Sequence, residues 1–246
     1  MCKAGLVLVH GLYATGASPV AATMAAARVQ RCTAFATHGQ ALGVTGYEWV
    51  SGRGRALANR ILRFARGTAP AVDAVEIIEF EEAAIYRSLA EDSTRSLWRQ
   101  FVSCAPYGFD VARSFVLIGA QLSLLDGPAV GQRVLWFGRG LTQLSDAQFV
   151  AHYANHHGPL VARHARELGL RRYRQVPGEA DGLCKQLREL GLGRGDAPPV
   201  FAELYVGSPP MNLASLRARR NAAREIKQDE KRYIDFGRSM LLLASK

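Results

Sequence analysis

The sequence contains few cysteines and few tryptophans, four and three in 246 residues. The cysteines are far apart and form no CxxC pair, which argues against a disulfide framework or a cysteine-based metal site. Thiols of this kind are typically reduced, so we expect a cytoplasmic location. No uninterrupted run of about 18 apolar residues occurs, and the sequence therefore predicts no transmembrane helix and no membrane partner.

Acidic residues are also scarce relative to basic ones, 21 against 31, which gives a formal net charge of +10. Most of the basic residues are arginines scattered along the chain, and a charge of this size could attract nucleic acid. No zinc-finger, RNP or aromatic-interleaved basic pattern accompanies it. We therefore interpret the arginines as solvated helix faces and expect no nucleic-acid partner.

The segment Ala4–Leu12 has the apolar pattern of a buried strand. Its Leu-Val-His-Gly run resembles the oxyanion-loop strand of α/β-hydrolases. A hydrolase of that kind needs its serine on a GxSxG elbow, and the sequence has no such motif. Hydrolase chemistry is therefore rejected.

Four of the six histidines fall within thirteen residues: His152, His156, His157 and His164. Ser145 and Gln148 predict a capping box at the start of a helix that carries them. His157 falls on the apolar face of this helix, so it is either satisfied by a neighbour or faces a cavity. The following Gly158-Pro159 predicts a kink or short break in the helix.

Several motifs in this region resemble the EthD family. They are Phe149-x-x-His152-Tyr153-x-x-x-His157-x-Pro159-Leu160-Val161, Gly169-Leu170-Arg171-Arg172-Tyr173-x-Gln175-Val176, the strand 202–206, and Asp229-Glu230-x-x-Tyr233-Ile234-Asp235. The resemblance covers about residue 133 to the C-terminus. It implies an α+β fold of the dimeric α+β barrel (ferredoxin-like) group, in a family of mixed functions.

The two halves of the sequence also resemble each other. Residues 109–117 align with 234–242 at an offset of 125, and Asp, Arg and Ser coincide. This period is about one βαββαβ unit. We therefore predict a degenerate EthD-like unit at 1–126 and a second unit with the His-rich helix at 127–246. Their antiparallel sheets would pair into an intramolecular dimeric α+β barrel with one pocket, in the C-terminal half.

Imidazole titrates near neutrality, which makes His157 the candidate general acid or base. The resemblance implies that its position faces the cavity. His152 and Tyr173 are the further catalytic candidates, as groups that orient or polarise an oxygen. The predicted substrate-binding residues are Phe149, Tyr153, Leu160, Trp136 and Glu203. Each has a structural alternative, such as a core histidine, a cross-strand tyrosine or a glutamate paired with arginine.

His152 and His156 are four residues apart on one helix face, a spacing that can hold a metal ion. No glutamate lies between them, and His164 is the only candidate for a third ligand. We therefore expect no metal site. The acidic residues of the C-terminal motif are expected to pair with nearby arginines: Asp229, Glu230 and Asp235.

The resemblance implies a protein that binds a small aromatic or polyketide-like oxygenated molecule in the barrel. Its chemistry would be cofactor-independent proton transfer, as in a lyase such as a dehydratase or decarboxylase, or in a cyclase, within a degradative or biosynthetic pathway. An accessory role beside an oxygenase is also implied. The alternatives are a non-catalytic ligand-binding or stress-related module and a haem-binding tandem barrel. We expect no cofactor, and the sequence is compatible with a homodimer.

Overall fold

The computed structural model describes residues 5–15, 20–52, 55–103, 109–178, 182–208 and 213–244. Its strands are β1 (Leu6–Leu12), β2 (Val44–Ser51), β3 (Ala74–Phe80), β4 (Phe115–Ala120), β5 (Leu122–Leu125), β6 (Gln132–Gly138), β7 (Leu170–Pro177), β8 (Val200–Val206) and β9 (Met240–Leu243). Its α-helices are α1 (Val20–His38), α2 (Ala56–Arg66), α3 (Glu82–Ala90), α4 (Asp92–Ser103), α5 (Asp146–His152), α6 (Gly158–Arg163), α7 (Ala165–Leu168), α8 (Gly182–Glu189) and α9 (Leu213–Tyr233). Among these residues, no helix combines the length and apolarity needed to cross a membrane.

The chain forms two compact units, each built on one antiparallel sheet. The sheet of unit 1 has the order β2-β3-β1-β4, and every neighbouring pair is antiparallel. The sheet of unit 2 has the order β5-β7-β8-β6-β9, which repeats the first order and adds β5 at one edge. With a helical connection after the first and third strands, each unit is a ferredoxin-like βαββαβ arrangement. The predicted α+β class with two antiparallel sheets is confirmed.

Two helices belong to the unit opposite to the one expected from the predicted division of the chain at residue 126. Helix α2 belongs to unit 2, and α8 belongs to unit 1. In α2, the Asn59 side chain accepts from the backbone N–H of Leu243 at 2.6 Å and donates to the Leu243 carbonyl at 3.0 Å. It thereby makes the pair of hydrogen bonds that a neighbouring strand would make with Leu243. In α8, Leu183 and Leu187 pack into the core of unit 1. The compact units are therefore discontinuous in sequence, whereas the prediction divided the chain into halves.

A hydrogen-bonded turn precedes the last strand of each unit. In unit 1 the Ser114 hydroxyl donates to the Asp110 carbonyl at 2.8 Å and accepts from the backbone N–H that follows β1 at 3.2 Å. In unit 2 the Ser239 hydroxyl donates to the Asp235 carbonyl at 2.7 Å and accepts from the backbone N–H that follows β6 at 2.9 Å. These turns lie where the sequence halves align, and they support our interpretation of a duplication.

Unit 1 buries one carboxylate completely. Glu76 lies 2.8 Å from His10 Nδ1, accepts from the Tyr47 hydroxyl at 3.0 Å and lies 3.4 Å from Arg31 Nε. Burial alone would raise the pKa of Glu76, but the charge of Arg31 and the contact with His10 outweigh it and leave the pKa lowered. The cluster is thus a compensated buried ion pair.

Replacing Glu76 with Gln should lower the free energy of unfolding by about 3 kcal/mol, because Arg31 would keep a buried charge without its partner. Since the folded-state pKa of Glu76 is depressed, its stabilisation is present at neutral pH and is lost as the pH falls through the folded-state value. Urea unfolding at neutral and acidic pH measures both effects. The exposed Glu82→Gln is the control, and unchanged stability of Glu76→Gln at neutral pH would contradict the prediction.

Candidate functional site

The His-rich segment of unit 2 begins with the predicted capping box. The Ser145 hydroxyl accepts from the Gln148 backbone N–H at 3.2 Å, and the Gln148 side chain accepts from the Ser145 N–H at 2.9 Å. Both bonds satisfy N–H groups that have no partner within a helix. The capping box thus defines the first residue of α5, and the turns that follow it determine the direction of each histidine.

Between α5 and α6 the helix passes through one π turn, from Tyr153 to His157. Gly158 has helical φ and ψ of −55° and −55°, and its N–H donates to the Tyr153 carbonyl five residues back. Pro159 then lies in the first turn of α6, where its missing N–H costs no hydrogen bond. The predicted short break at Gly158-Pro159 is therefore wrong, because the wider turn accommodates the proline without interrupting the helix. The π turn is itself a usual site of a helix kink, the other form that the prediction allowed.

Three histidines of this segment surround a single carboxylate, that of Asp229 on α9. His157 Nδ1 lies 3.0 Å from Asp229 Oδ2, and His152 Nε2 lies 3.0 Å from Asp229 Oδ1. His156 Nε2 lies 3.4 Å from the same Oδ1. Because a π turn holds one more residue than an α turn, it brings residues four and five apart towards one side of the helix. That geometry lets His152, His156 and His157 approach one group.

Asp229 itself lies on the buried stripe of α9. The buried residues of that helix recur at helical spacing: Ala222, Ile226, Asp229 and Tyr233. Burial alone would raise the pKa of Asp229, but the hydrogen bonds with His157 and His152 outweigh it and leave the pKa lowered. The carboxylate is thus ionised at neutral pH and can only accept hydrogen bonds.

The histidine cluster extends from the interior towards solvent. The exposed fraction of the side chain is 6% for His157, 34% for His152 and 62% for His156. Burial lowers the pKa of His157 to about 4, although the bond to Asp229 acts in the opposite direction. His157 is therefore neutral at neutral pH. Since an ionised Asp229 can only accept, the His157 proton lies on Nδ1 and its Nε2 carries the lone pair.

Two tyrosines flank the histidine rings. The Tyr233 ring centroid lies 4.1 Å from that of His152 and 5.5 Å from that of His157. The Tyr153 ring lies 5.0 Å from His157. The Tyr233 hydroxyl is buried and forms no hydrogen bond of ordinary geometry among the described residues, although it lies close enough to Asp229 to interact with that carboxylate. Burial and the charge of Asp229 raise the pKa of Tyr233, so the hydroxyl remains a donor.

Tyr173, a predicted catalytic residue, does not join the carboxylate cluster. Its hydroxyl accepts from the Gln175 side chain and shares a hydrogen bond with Tyr153. Burial raises the pKa of Tyr173 to about 12. Tyr173 is thus linked to Tyr153, whose ring lies beside His157.

The other predicted binding residues divide between the two faces of the sheet. Phe149, Leu160 and Trp136 are buried in the same apolar cluster as Tyr153. Glu203 does not join them: it pairs with Arg133 and lies 3.6 Å from Arg174 Nε. Its neighbours in β8, residues 202 and 204, belong to the apolar cluster, so strand alternation turns Glu203 to the opposite face. The structure thus favours the alternative interpretation of Glu203, a glutamate paired with arginine, over that of a residue that contacts the ligand.

The expected pairing of the C-terminal acidic residues with nearby arginines holds for one of three. Asp235 binds Arg238 at 2.8 Å, and Glu230 lies 3.4 Å from Arg66 rather than beside a C-terminal arginine. Asp229 instead binds histidines, so that interpretation of it is wrong.

His164, the only third metal ligand that the sequence offered, binds Glu225 at 2.8 Å. Asp229 takes its place: one ligand atom each from His152, His156 and Asp229 lies within 4.8 Å of the others. The sequence analysis named Asp229 only as a partner of arginine and missed it as a partner of histidines and a metal-ligand candidate.

Replacing Asp229 with Ala should lower the free energy of unfolding by about 1 to 3 kcal/mol, because the buried His157 N–H would lose its acceptor. Glu225→Ala is the matched control, since Glu225 lies one turn earlier on α9 and binds His164 at an exposed position. An exposed pair contributes little, so this variant should unfold like the wild type. Urea unfolding of both variants measures the difference. Equal stability of the two variants would contradict the assigned role of Asp229.

Residues 141–237 match the family model of the EthD domain, which confirms the resemblance seen in the sequence. No curated protein matches the chain. Among solved structures, an anthrone oxidase-like protein is 9% identical with a TM-score of 0.48, over 100% of this chain and 93% of that one. A chlorite dismutase variant from Candidatus Nitrospira defluvii is 7% identical with a TM-score of 0.48, over 100% and 93%. A proposed monooxygenase from Lactobacillus acidophilus is 10% identical with a TM-score of 0.47, over 99% and 94%.

Proposed function

We propose that the EthD domain at residues 141–237 binds a small aromatic or polyketide-like oxygenated molecule and transfers a proton on it without a cofactor. The observation that supports this most is the buried His157, held at Nδ1 by Asp229 at 3.0 Å. Among the described residues its Nε2 makes no hydrogen bond. A carboxylate that fixes one nitrogen of an imidazole leaves the other in the correct tautomer to accept a proton.

The surroundings of His157 suit a flat, oxygenated ligand. The rings of Tyr153 and Tyr233 are buried beside His157, so a ligand ring that reaches this position would pack against them face to face or edge to face. The buried Tyr233 hydroxyl, which lies near Asp229, can donate to a carbonyl or phenolate oxygen. In this proposal His157 removes and returns a proton at carbon, and Tyr233 polarises the adjacent oxygen. We choose Tyr233 over Tyr173 because its ring lies beside His157, whereas the Tyr173 hydroxyl accepts from Gln175.

His152 is a positioning residue in this proposal. It binds Asp229 Oδ1 at 3.0 Å and thereby fixes the carboxylate that holds His157. Its ring lies against Tyr233, with the centroids 4.1 Å apart. The chemistry that follows is that of a dehydratase, cyclase or decarboxylase, acting alone or beside an oxygenase.

A non-catalytic ligand-binding module is the second candidate. It is favoured by the same contact, because a buried histidine bonded to a carboxylate is already satisfied and needs no catalytic role. The two candidates differ in one measurable respect. Both bind an aromatic oxygenated molecule, but only the enzyme exchanges protons at its carbon atoms.

The experiment uses benzoylacetone, an aromatic 1,3-dicarbonyl, in deuterated buffer. The wild type should bind it and accelerate deuterium exchange at the carbon between the carbonyls, measured by proton NMR. His157→Gln should slow the catalysed exchange by about 100-fold or more, the usual contribution of a general base. His164→Gln, which alters a histidine on the same helical segment that binds Glu225 instead, should exchange like the wild type.

Each other outcome has a definite meaning. Binding without exchange in the wild type would favour the ligand-binding module. Full exchange in His157→Gln would contradict the role of His157. Absence of both binding and exchange would count against an aromatic oxygenated ligand.

A further inference from the structure

We propose that His152, His156 and Asp229 form a binding site for a divalent transition-metal ion such as Zn²⁺. The ligand atoms are the two Nε2 atoms and the carboxylate Oδ1. The site lies at the solvent end of the histidine cluster, on one side of Asp229, and His157 occupies the other carboxylate oxygen. The inference goes beyond the proposed function and does not rest on it.

The interatomic distances agree with coordination of one ion. Two atoms that each lie about 2.1 Å from a zinc ion are about 3.0 to 3.4 Å apart, depending on the angle between them. His152 Nε2 and Asp229 Oδ1 are 3.0 Å apart, and His156 Nε2 and the same Oδ1 are 3.4 Å apart. All three atoms lie within 4.8 Å of one another. Two of the three distances thus match a single ion, and rotation of the imidazole rings would set the third, between the two Nε2 atoms.

The donor set selects the kind of metal. Two imidazoles and one carboxylate suit Zn²⁺, Co²⁺, Ni²⁺ and Fe²⁺, whereas Mg²⁺ and Ca²⁺ prefer sites made only of oxygen. Three protein ligands leave coordination positions open to water or to a ligand oxygen. The exposed fraction of the His156 side chain is 62%, so those positions can be reached from solvent.

The surrounding residues hold the site in place. Asp229 is buried on α9, and its Oδ2 is fixed by His157, which gives the metal ligand an outer-shell partner. The ring of His152 lies against Tyr233, and the π turn places His152 and His156 side by side with ring centroids 4.8 Å apart. In the metal-free protein the proton between His152 and Asp229 occupies the position of the ion. Metal binding would therefore require the His152 tautomer with its proton on Nδ1, which leaves Nε2 free to coordinate.

The experiment uses the full chain treated with a chelator and then titrated with Co²⁺ and with Zn²⁺. We expect one equivalent to bind, with visible cobalt absorption bands and a raised unfolding temperature. His156→Ala should weaken the affinity at least about 10- to 100-fold, since even the loss of an outer-shell partner costs that much. His156 is exposed, so this variant should fold.

The control is His164→Ala, which removes the neighbouring histidine that pairs with Glu225. It should bind Co²⁺ like the wild type. No cobalt bands at millimolar Co²⁺, or equal affinity in the wild type and His156→Ala, would overturn the proposal. Because no substrate is present, a negative result leaves the proposed proton transfer by His157 untouched. Conversely, failure of deuterium exchange says nothing about metal affinity.

Discussion

A carboxylate on the apolar face of a helix is the constraint on which the site depends. Asp229 occupies the stripe through which α9 packs against its neighbours, and an isolated ionised carboxylate there would cost several kcal/mol or more. Three histidines of the preceding helical segment compensate it. Their position requires the π turn at Tyr153–His157, which in turn allows Gly158 and Pro159 to continue the helix. The buried charge of Asp229 thus depends on the π turn for its histidine partners.

Both units bury carboxylates, and the partners of Glu76 and Asp229 differ in a way that matters for chemistry. In unit 1 Glu76 contacts both His10 and Arg31, and a guanidinium does not give up its proton. In unit 2 Glu203 likewise pairs with arginine. In unit 2 Asp229 is bonded to imidazoles, which can lose, gain or exchange a proton and can bind a metal ion. The cluster of unit 1 is completely buried, whereas that of unit 2 extends to solvent at His156. The cluster with a solvent-exposed histidine thus lies in the segment that matches the EthD domain model.

Local sequence signals predicted much of the site. The capping box and the helical spacing placed His157 on the buried face, because both depend only on residues within a few turns. Asp229 was missed because it lies 72 residues from His157. The available signal was its position in the stripe of α9, an acidic residue at a spacing otherwise filled by apolar ones. The alternation of β8 would also have turned Glu203 away from the site. The exchange of α2 and α8 between the units depends on contacts distant in sequence, such as that of Asn59 with Leu243, so local patterns could not reveal it.

The central claim is that one carboxylate sets the state of the histidines, and the nitrogen chemical shifts of the imidazole rings test it most directly. Long-range proton–nitrogen NMR at neutral pH should show His157 protonated at Nδ1 and unprotonated at Nε2. In Asp229→Asn the shifts of His152, His156 and His157 should change together, while those of His164 stay constant. A His157 protonated at Nε2 in the wild type, or shifts that do not respond to Asp229→Asn, would contradict the account.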